Sequence, residues 1–194
     1  MLKPDGQTGN NLSTWIDRLD NTVDRAWGRA LRGRPNADRL FYVASEVGDF
    51  SLLWVFIGVA QGIRSDADAD ATIRLTVALL AESLLVNQGL KRLVKRPRPN
   101  AVEARPHDLR LPQTSSFPSG HASSAFAAAG ILSEHDPALR PLFYGVAAIV
   151  ATSRIHVQIH HASDVVAGAL IGAVFAKVVI RAWPLPAHTR GRGV

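Results

Sequence analysis

Along the chain, apolar residues first recur at spacings of three and four: Leu12, Trp15, Ile16, Leu19, Val23, Ala26, Trp27, Ala30 and Leu31. Asp17, Arg18, Asp20, Asp24, Arg25 and Arg29 fill the positions between them. This period predicts an amphipathic helix with a tryptophan-bearing apolar stripe and an arginine-containing polar face. Beyond it the pattern becomes continuous rather than periodic. Residues 40–63, LFYVASEVGDFSLLWVFIGVAQGI, carry only Glu46 and Asp49 as charges. The linker RSDADADATIR leads to LTVALLAESLLVNQGL, bounded by Arg74 and Lys91. Three more apolar segments follow: HASSAFAAAGILS, PLFYGVAAIVATS after Arg140, and VVAGALIGAVFAKVVI before Arg181. Alanine, leucine and glycine dominate these segments and no alternation of period two persists, so strands are not expected.

Five apolar segments separated by charged or proline-rich punctuation predict an all-α, polytopic membrane helical bundle with about five transmembrane helices. The N-terminal amphipathic helix is expected to lie in the membrane interface, since Asp17, Arg18, Asp20, Asp24 and Arg25 oppose crossing. Several segments are shorter than the roughly 20 residues of a full span, so each span takes in flanking polar residues. A soluble globule of five or six unusually apolar helices is the competing arrangement. The chain divides into a flexible tail at 1–11 without a signal-peptide pattern, the interfacial helix at 12–34, a membrane-embedded domain at 40–182 and a basic flexible tail at 183–194.

Composition alters this picture little. A length of 194 residues fits one domain. The mean hydropathy of +0.07 averages apolar segments against charged ends, so the placement of the charges matters more than their total. The absence of cysteine excludes disulfides, thiolate metal sites and a cysteine nucleophile. A net charge of +6 points to anionic partners, and its concentration shows which.

The polar residues that interrupt the apolar pattern fall into three clusters. KRLVKRPRPN, residues 91–100, places five cations in eight positions, and Pro97 stops the helix that precedes it. A topology signal or headgroup-binding edge would explain the cluster alone. Nucleic acid is not expected as a partner, because no aromatic residues interleave with the cations. In SSFPSGHASSAFAAAG, residues 115–130, Pro118 shapes a turn, Ser119 can cap, Gly120 allows close backbone approach, and His121 opens a helix whose first amides lack internal partners. Such a helix start suits an anion. In SRIHVQIHHASDVVAG, residues 153–168, His160 and Asp164 lie four apart, the spacing of one helical face. A carboxylate there can orient an imidazole, the base-plus-orienter part of a nucleophilic site. Arg154 inside an apolar segment calls for an anionic partner. Metal ligation by His156, His160 and Asp164 competes with this reading, although no His-Glu-x-x-His frame is present and the nearby arginine repels cations.

Together the three clusters resemble one family, the type-2 phosphatidic acid phosphatases, which share a core with vanadium haloperoxidases. Lys91 stands six residues before Arg98-Pro99, Pro118-Ser119-Gly120-His121 is uninterrupted, and Ser153-Arg154 precedes His160 by five residues and Asp164 by a further three. The resemblance covers roughly residues 40–182. It implies an integral membrane phosphatase acting on a lipid phosphate monoester or pyrophosphate of the polyprenyl phosphate, phosphatidic acid or phosphatidylglycerol phosphate type. It implies that Lys91, Arg98, Ser119, Gly120 and Arg154 bind the phosphate. His160, oriented by Asp164, would attack phosphorus to give a phosphohistidine, and His121 would protonate the leaving group. Neither a metal nor another cofactor is implied, and membrane lipids are the expected surroundings.

Arg96 is a second candidate for the phosphate site, since Arg96-Pro97 repeats the Arg-Pro pair at a poorer distance from Lys91. His107, His156 and His161 receive no catalytic role, and Glu46, Asp49, Glu82 and Asn87 are expected to make structural polar links inside the bundle. With five spans, the catalytic loops share a side with Arg18, Arg25, Arg29, Arg32, Arg34 and Arg39, which by the positive-inside rule is the cytoplasmic side of the cell membrane. A non-catalytic lipid-phosphate binder or transporter, and a vanadate-dependent haloperoxidase, are the rival functions. A complete His121, His160 and Asp164 set speaks against the first, and a short, apolar chain against the second.

Overall fold

A computed structural model of the protein describes residues 11–99 and 113–185. Most of the two predicted tails, and His107, lie outside the described residues. Among the described residues there are seven helices of more than ten residues: α1 (Asn11–Leu31), α2 (Pro35–Val47), α3 (Leu52–Gly62), α4 (Asp66–Leu84), α5 (Gly120–His135), α6 (Arg140–His156) and α7 (Ala162–Ala182). No strand occurs among the described residues. The all-α expectation therefore holds.

Helix α5 is the central element. Its alanine-rich sequence presents a small side chain on nearly every face, and eleven of its sixteen residues are buried. Helices α4, α6 and α7 surround it, and the core joins Leu75 and Leu79 of α4 to Ala125, Ala128 and Leu132 of α5, Val150 of α6 and Ala176 of α7. The approach of α7 is very close. A Cβ on Gly168 would overlap the Ser119 carbonyl oxygen, and one on Gly172 would overlap that of Ser123. Gly168, Gly172 and Ala176, spaced by four, form the small-residue stripe that lets two backbones meet.

Three elements differ from the pattern reading. The apolar run at 40–63 is not one helix: α2 and α3 are bent by 73° at Gly48, the short helical turn Asp49–Ser51, and Ser51 with φ of 59°. Hydropathy does not see this break because apolar residues continue on both sides. The acidic linker is instead the first turns of α4, where Ser65 accepts a 3.2 Å bond from the Asp68 amide. Asp66 and Asp68 suit a helix N-terminus, whose dipole is positive. Finally, of the described helices only α7 is by itself long and apolar enough to cross a membrane, with the bent α2–α3 pair passing as a unit. Length and composition thus single out fewer spans than the five expected, because the other helices carry polar residues or are short.

The end of the bundle away from the site is tied by ions. Arg74, fully buried, reaches Glu134 at 2.6 Å and the Trp183 carbonyl at 3.1 Å, and His135 meets Asp68 at 2.7 Å.

Candidate active site

At the other end, the C-terminal ends of α4 and α6 meet the N-terminal ends of α5 and α7. Helix α4 is continued by a π-helical turn, Leu85–Leu90, and the turn Lys91–Leu93. A π-turn resets the helical phase. Here Glu82, Ser83, Asn87, Gln88 and Lys91 all line one cavity of about 590 Å³, with Gly120, His121, Arg154 and His160 opposite. Gly120 keeps this wall open, since a Cβ there would sit 3.3 Å from Asn87 Oδ1 and 3.5 Å from Lys91 Nζ.

The nucleophile candidate sits in a tight turn. Helix α6 ends with Gln158 in the left-handed region at φ of 53°, while the Gln158 amide bonds to Ile155 O and the Ile159 amide to Arg154 O. These are the two bonds of a Schellman motif. The His160 amide also bonds to Arg154 O at 3.1 Å, so the residue that supplies a cation also fixes the loop carrying His160. His160 is therefore not on a helical face with Asp164: it precedes α7, and Asp164 is the third residue of that helix. His160 Nδ1 lies 3.7 Å from Asp164 Oδ2, an ion-pair separation longer than a hydrogen bond.

On the other ring edge, Arg98 Nη1 approaches His160 Nε2 to 3.3 Å and donates to Ile159 O, while Arg98 Nη2 donates to Thr114 O and Ser115 O. Burial pushes the His160 imidazole down to about 3, against the pull of Asp164 and with that of Arg154 and Arg98. The ring is neutral at physiological pH, as a nucleophilic nitrogen must be.

The other candidates divide between the cavity and its support. Arg154 lines the cavity and donates to Ser45 of α2 through Nη1. His121 Nε2 lies 2.9 Å from Asp49 Oδ1, at the break between α2 and α3. Ser119 is fully buried, and its hydroxyl caps α5 by accepting from the Ala122 amide, so it shapes the helix start rather than facing the cavity. Asp164 is fully buried, accepting from the Ser116 hydroxyl, the His161 amide at 2.9 Å and Arg96 Nη1 at 2.6 Å. Arg96 is absent from the cavity wall and lies behind Asp164. Its guanidinium also reaches Asp20 at 2.7 Å, and the Asp20 and Asp164 carboxylates outweigh its burial to hold it above its ordinary value. His156 turns away from His160 toward Trp27 and Asp38, so the 156–160–164 metal set does not assemble.

Asp49, Ser116, Ser45 and Asp20 are thus contributors that motif spacing did not identify. Asp49 carried one signal, an acid inside an apolar run; the serines carried none. Of the four polar residues expected to make structural links, Asp49, Glu82 and Asn87 line the cavity, whereas Glu46 is exposed.

The profile of the PAP2 superfamily matches residues 71–185. The decaprenylphosphoryl-5-phosphoribose phosphatase of Mycobacterium tuberculosis (strain ATCC 25618 / H37Rv) is 37% identical over 160 residues, which are 77% of this chain and 82% of that protein. The enzyme of the same name from Mycolicibacterium smegmatis is 31% identical over 152 residues, 78% of this chain and 82% of that one. Among solved structures, Aquifex aeolicus LpxE superposes with a TM-score of 0.68 at 26% identity, covering 84% of this chain and 95% of that one. The transmembrane PAP2-type phosphatidylglycerolphosphate phosphatase of Bacillus subtilis superposes with a TM-score of 0.65 at 23% identity, covering 85% and 84%.

Proposed function

The chain belongs to the PAP2 superfamily, and on that basis we propose that it is an integral membrane phosphatase that hydrolyses a lipid phosphate through a phosphohistidine at His160. The observation that carries this reading is a neutral, buried histidine facing the same cavity as Lys91 and Arg154, with Arg98 on its Nε2. Three cations and the first amides of α5 neutralise the equatorial oxygens of a phosphoryl group, which is most of what phosphoryl transfer asks of a protein. No step calls on a metal ion. Nε2 attacks phosphorus and the P–O bond to the leaving group breaks, while His121 gives that oxygen its proton. A water then loses a proton to His121 and attacks phosphorus, and the P–N bond breaks to release phosphate.

The two relatives act, by name, on a polyprenyl-linked sugar phosphate, and a substrate of that kind suits this cavity. On the α4 side of the cavity, Glu82, Ser83, Asn87 and Gln88 form a wall of hydrogen-bonding groups that fits hydroxyls better than hydrocarbon. Phosphate release from a polyprenyl-linked pentose phosphate, a plain polyprenyl phosphate, phosphatidic acid and phosphatidylglycerol phosphate is the direct test, run with and without EDTA. Release from the pentose phosphate at undiminished rate in EDTA is expected. Abolition by EDTA removes the metal-free mechanism, and no release from any of the four removes the phosphatase reading.

The chain is further proposed to cross the cell membrane five times, with α1 at the surface and the catalytic end in the cytoplasm beside the arginines of α1 and α2. The chain has no cysteine of its own, so single cysteines introduced next to Arg34 and Asp68 report sidedness cleanly. In intact cells an impermeant maleimide is expected to label the site near Asp68 and spare the one near Arg34. The reverse pattern inverts the orientation.

A further inference from the structure

We propose that Asp20 of α1 is a positioning residue for the nucleophile, holding Asp164 in place beside His160 through Arg96 and the first turn of α7. This rests on the phosphatase reading above. The first observation is a local departure from the amphipathic pattern, although Val23 and Trp27 of the apolar stripe do pack on the core. Trp15 and Leu19, on the predicted apolar stripe, are 59% and 41% exposed. Asp20, on the predicted polar face, is 2% exposed and is the one buried residue among the described side chains of α1. A carboxylate is buried at such a cost only when its partners satisfy it.

Those partners all belong to the catalytic end. Asp20 Oδ1 accepts from the Ser163 amide at 2.8 Å, and Oδ2 accepts from the Ser163 hydroxyl and from Arg96 Nη2, each at 2.7 Å. Ser163 is the second residue of α7, so Asp20 satisfies one of the open amides at the start of the helix that carries Asp164, and does so from another helix. Arg96 completes the connection. Its Nη1 donates to Asp164 Oδ1 at 2.6 Å and to Ser163 Oγ at 2.7 Å, so its planar fork bridges the two carboxylates.

The bridge settles which Asp164 oxygen does what. Oδ1 is engaged by Arg96, and Oδ2, held by Ser116 and the His161 amide, is the one that faces His160. One guanidinium among the buried Asp20 and Asp164 carboxylates and the exposed Asp17 carboxylate leaves a net negative charge behind the imidazole, which favours the positive ring that forms as His160 attacks. Without the Asp20 charge, Arg96 keeps only the exposed Asp17 carboxylate, 3.3 Å from Nη2, as a second acidic partner, acts more strongly on Asp164 and is free to draw its carboxylate out of line. Residues 11–31 lie outside the segment that the family profile matches.

The test is a double-mutant cycle on the full-length protein in detergent micelles, with farnesyl phosphate as substrate and monodispersity and the unfolding midpoint as controls. Asp20→Asn and Arg96→Lys are each expected to lower kcat about tenfold or more with KM within about threefold. The double variant is expected to be no slower than the slower single one, and Asp20→Glu to recover part of kcat. A folded Asp20→Asn protein with kcat within about twofold of wild type overturns the proposal, as do losses that multiply in the double variant. If wild type releases no phosphate from farnesyl phosphate or from any of the four lipid phosphates above, the phosphatase reading fails, an outcome distinct from wild-type release that is insensitive to Asp20.

Discussion

Replacing His160 by alanine is expected to lower the turnover of a lipid phosphate by a factor on the order of 10⁴ or more, since the covalent route loses its nucleophile. The unfolding midpoint is the accompanying control. The His160 ring is buried but makes few bonds: Nδ1 has no hydrogen-bond partner among the described residues, and Nε2 faces the cavity and Arg98. Loss of activity in a protein that still folds separates a chemical role from a structural one. Turnover at an unchanged rate would remove His160 as nucleophile. His121→Ala, which leaves the nucleophile and removes the proton donor, is expected to cost a smaller factor, about 10²–10⁴.

The low pKa of His160 adds a pH signature to this result. Because the folded value is about 3, the ring stays neutral as pH falls from 8 to 5. The acid limb of kcat/KM for the free enzyme therefore does not fall at about 6.5, the ordinary histidine value. The sign for stability follows from the same difference. Below about 6.5 the unfolded chain takes up a proton at this residue and the folded chain does not. This contribution to stability is complete above that pH and is lost progressively as pH falls toward 3. His160→Ala is expected to flatten that part of the stability profile.

Gly172→Ala is expected to have the largest effect on folding. The new methyl would overlap the Ser123 carbonyl oxygen and lie 2.9 Å from the Ala127 amide nitrogen, both of them backbone atoms. Neither can swing aside as a side chain would, so α5 and α7 must separate. That places the cost at the upper end of overpacking, about 3 kcal/mol or more. Gly145, in α6, is the matched comparison, because a Cβ there meets nothing within 4 Å. Gly145→Ala is expected to be neutral or to stabilise by up to about 1 kcal/mol, since alanine restricts the unfolded chain. Thermal unfolding of the two variants in the same detergent measures the contrast. Equal midpoints would mean that the close α5–α7 approach carries no weight in folding.

The parts of this fold that were legible in the sequence are those in which local and global preferences agree. Helices α5, α6 and α7 follow from apolar runs bounded by proline, glycine or charge, and His121, Arg154 and Asp164 lie at the site ends of those helices. Where the two preferences diverge, pattern reading fails. Asp66 and Asp68 look like linker residues until Ser65 is seen to cap the helix they begin. The 40–63 run looks unbroken because a bend needs only Gly48 and a left-handed Ser51, neither of which lowers hydropathy much. The four-residue spacing of His160 and Asp164 implies a helix, yet the pair straddles a helix start. Asp20 is the clearest case. Periodicity assigns a residue to a face of its own helix, but cannot say that a half-buried guanidinium waits on the polar side.

Ser116 and Ser45 illustrate a different limit. Each supports a motif residue, Asp164 in one case and Arg154 in the other, from a distant point of the chain. A lone serine has no spacing rule that announces such a contact, so only the folded arrangement reveals it.

The meeting of four helix ends has a consequence for when the protein acquires its ligand. Lys91 follows α4, Arg154 closes α6, His160 sits just before α7, and the open amides that suit an anion belong to the start of α5. On the proposed phosphatase reading, no two of these helices contain the whole phosphate site. Affinity therefore arises only when the last helix docks, which makes phosphate recognition a late event in assembly. By the same reciprocity, an anion seated there is a clamp across four separate helices, and its binding energy becomes part of what keeps the assembled protein together.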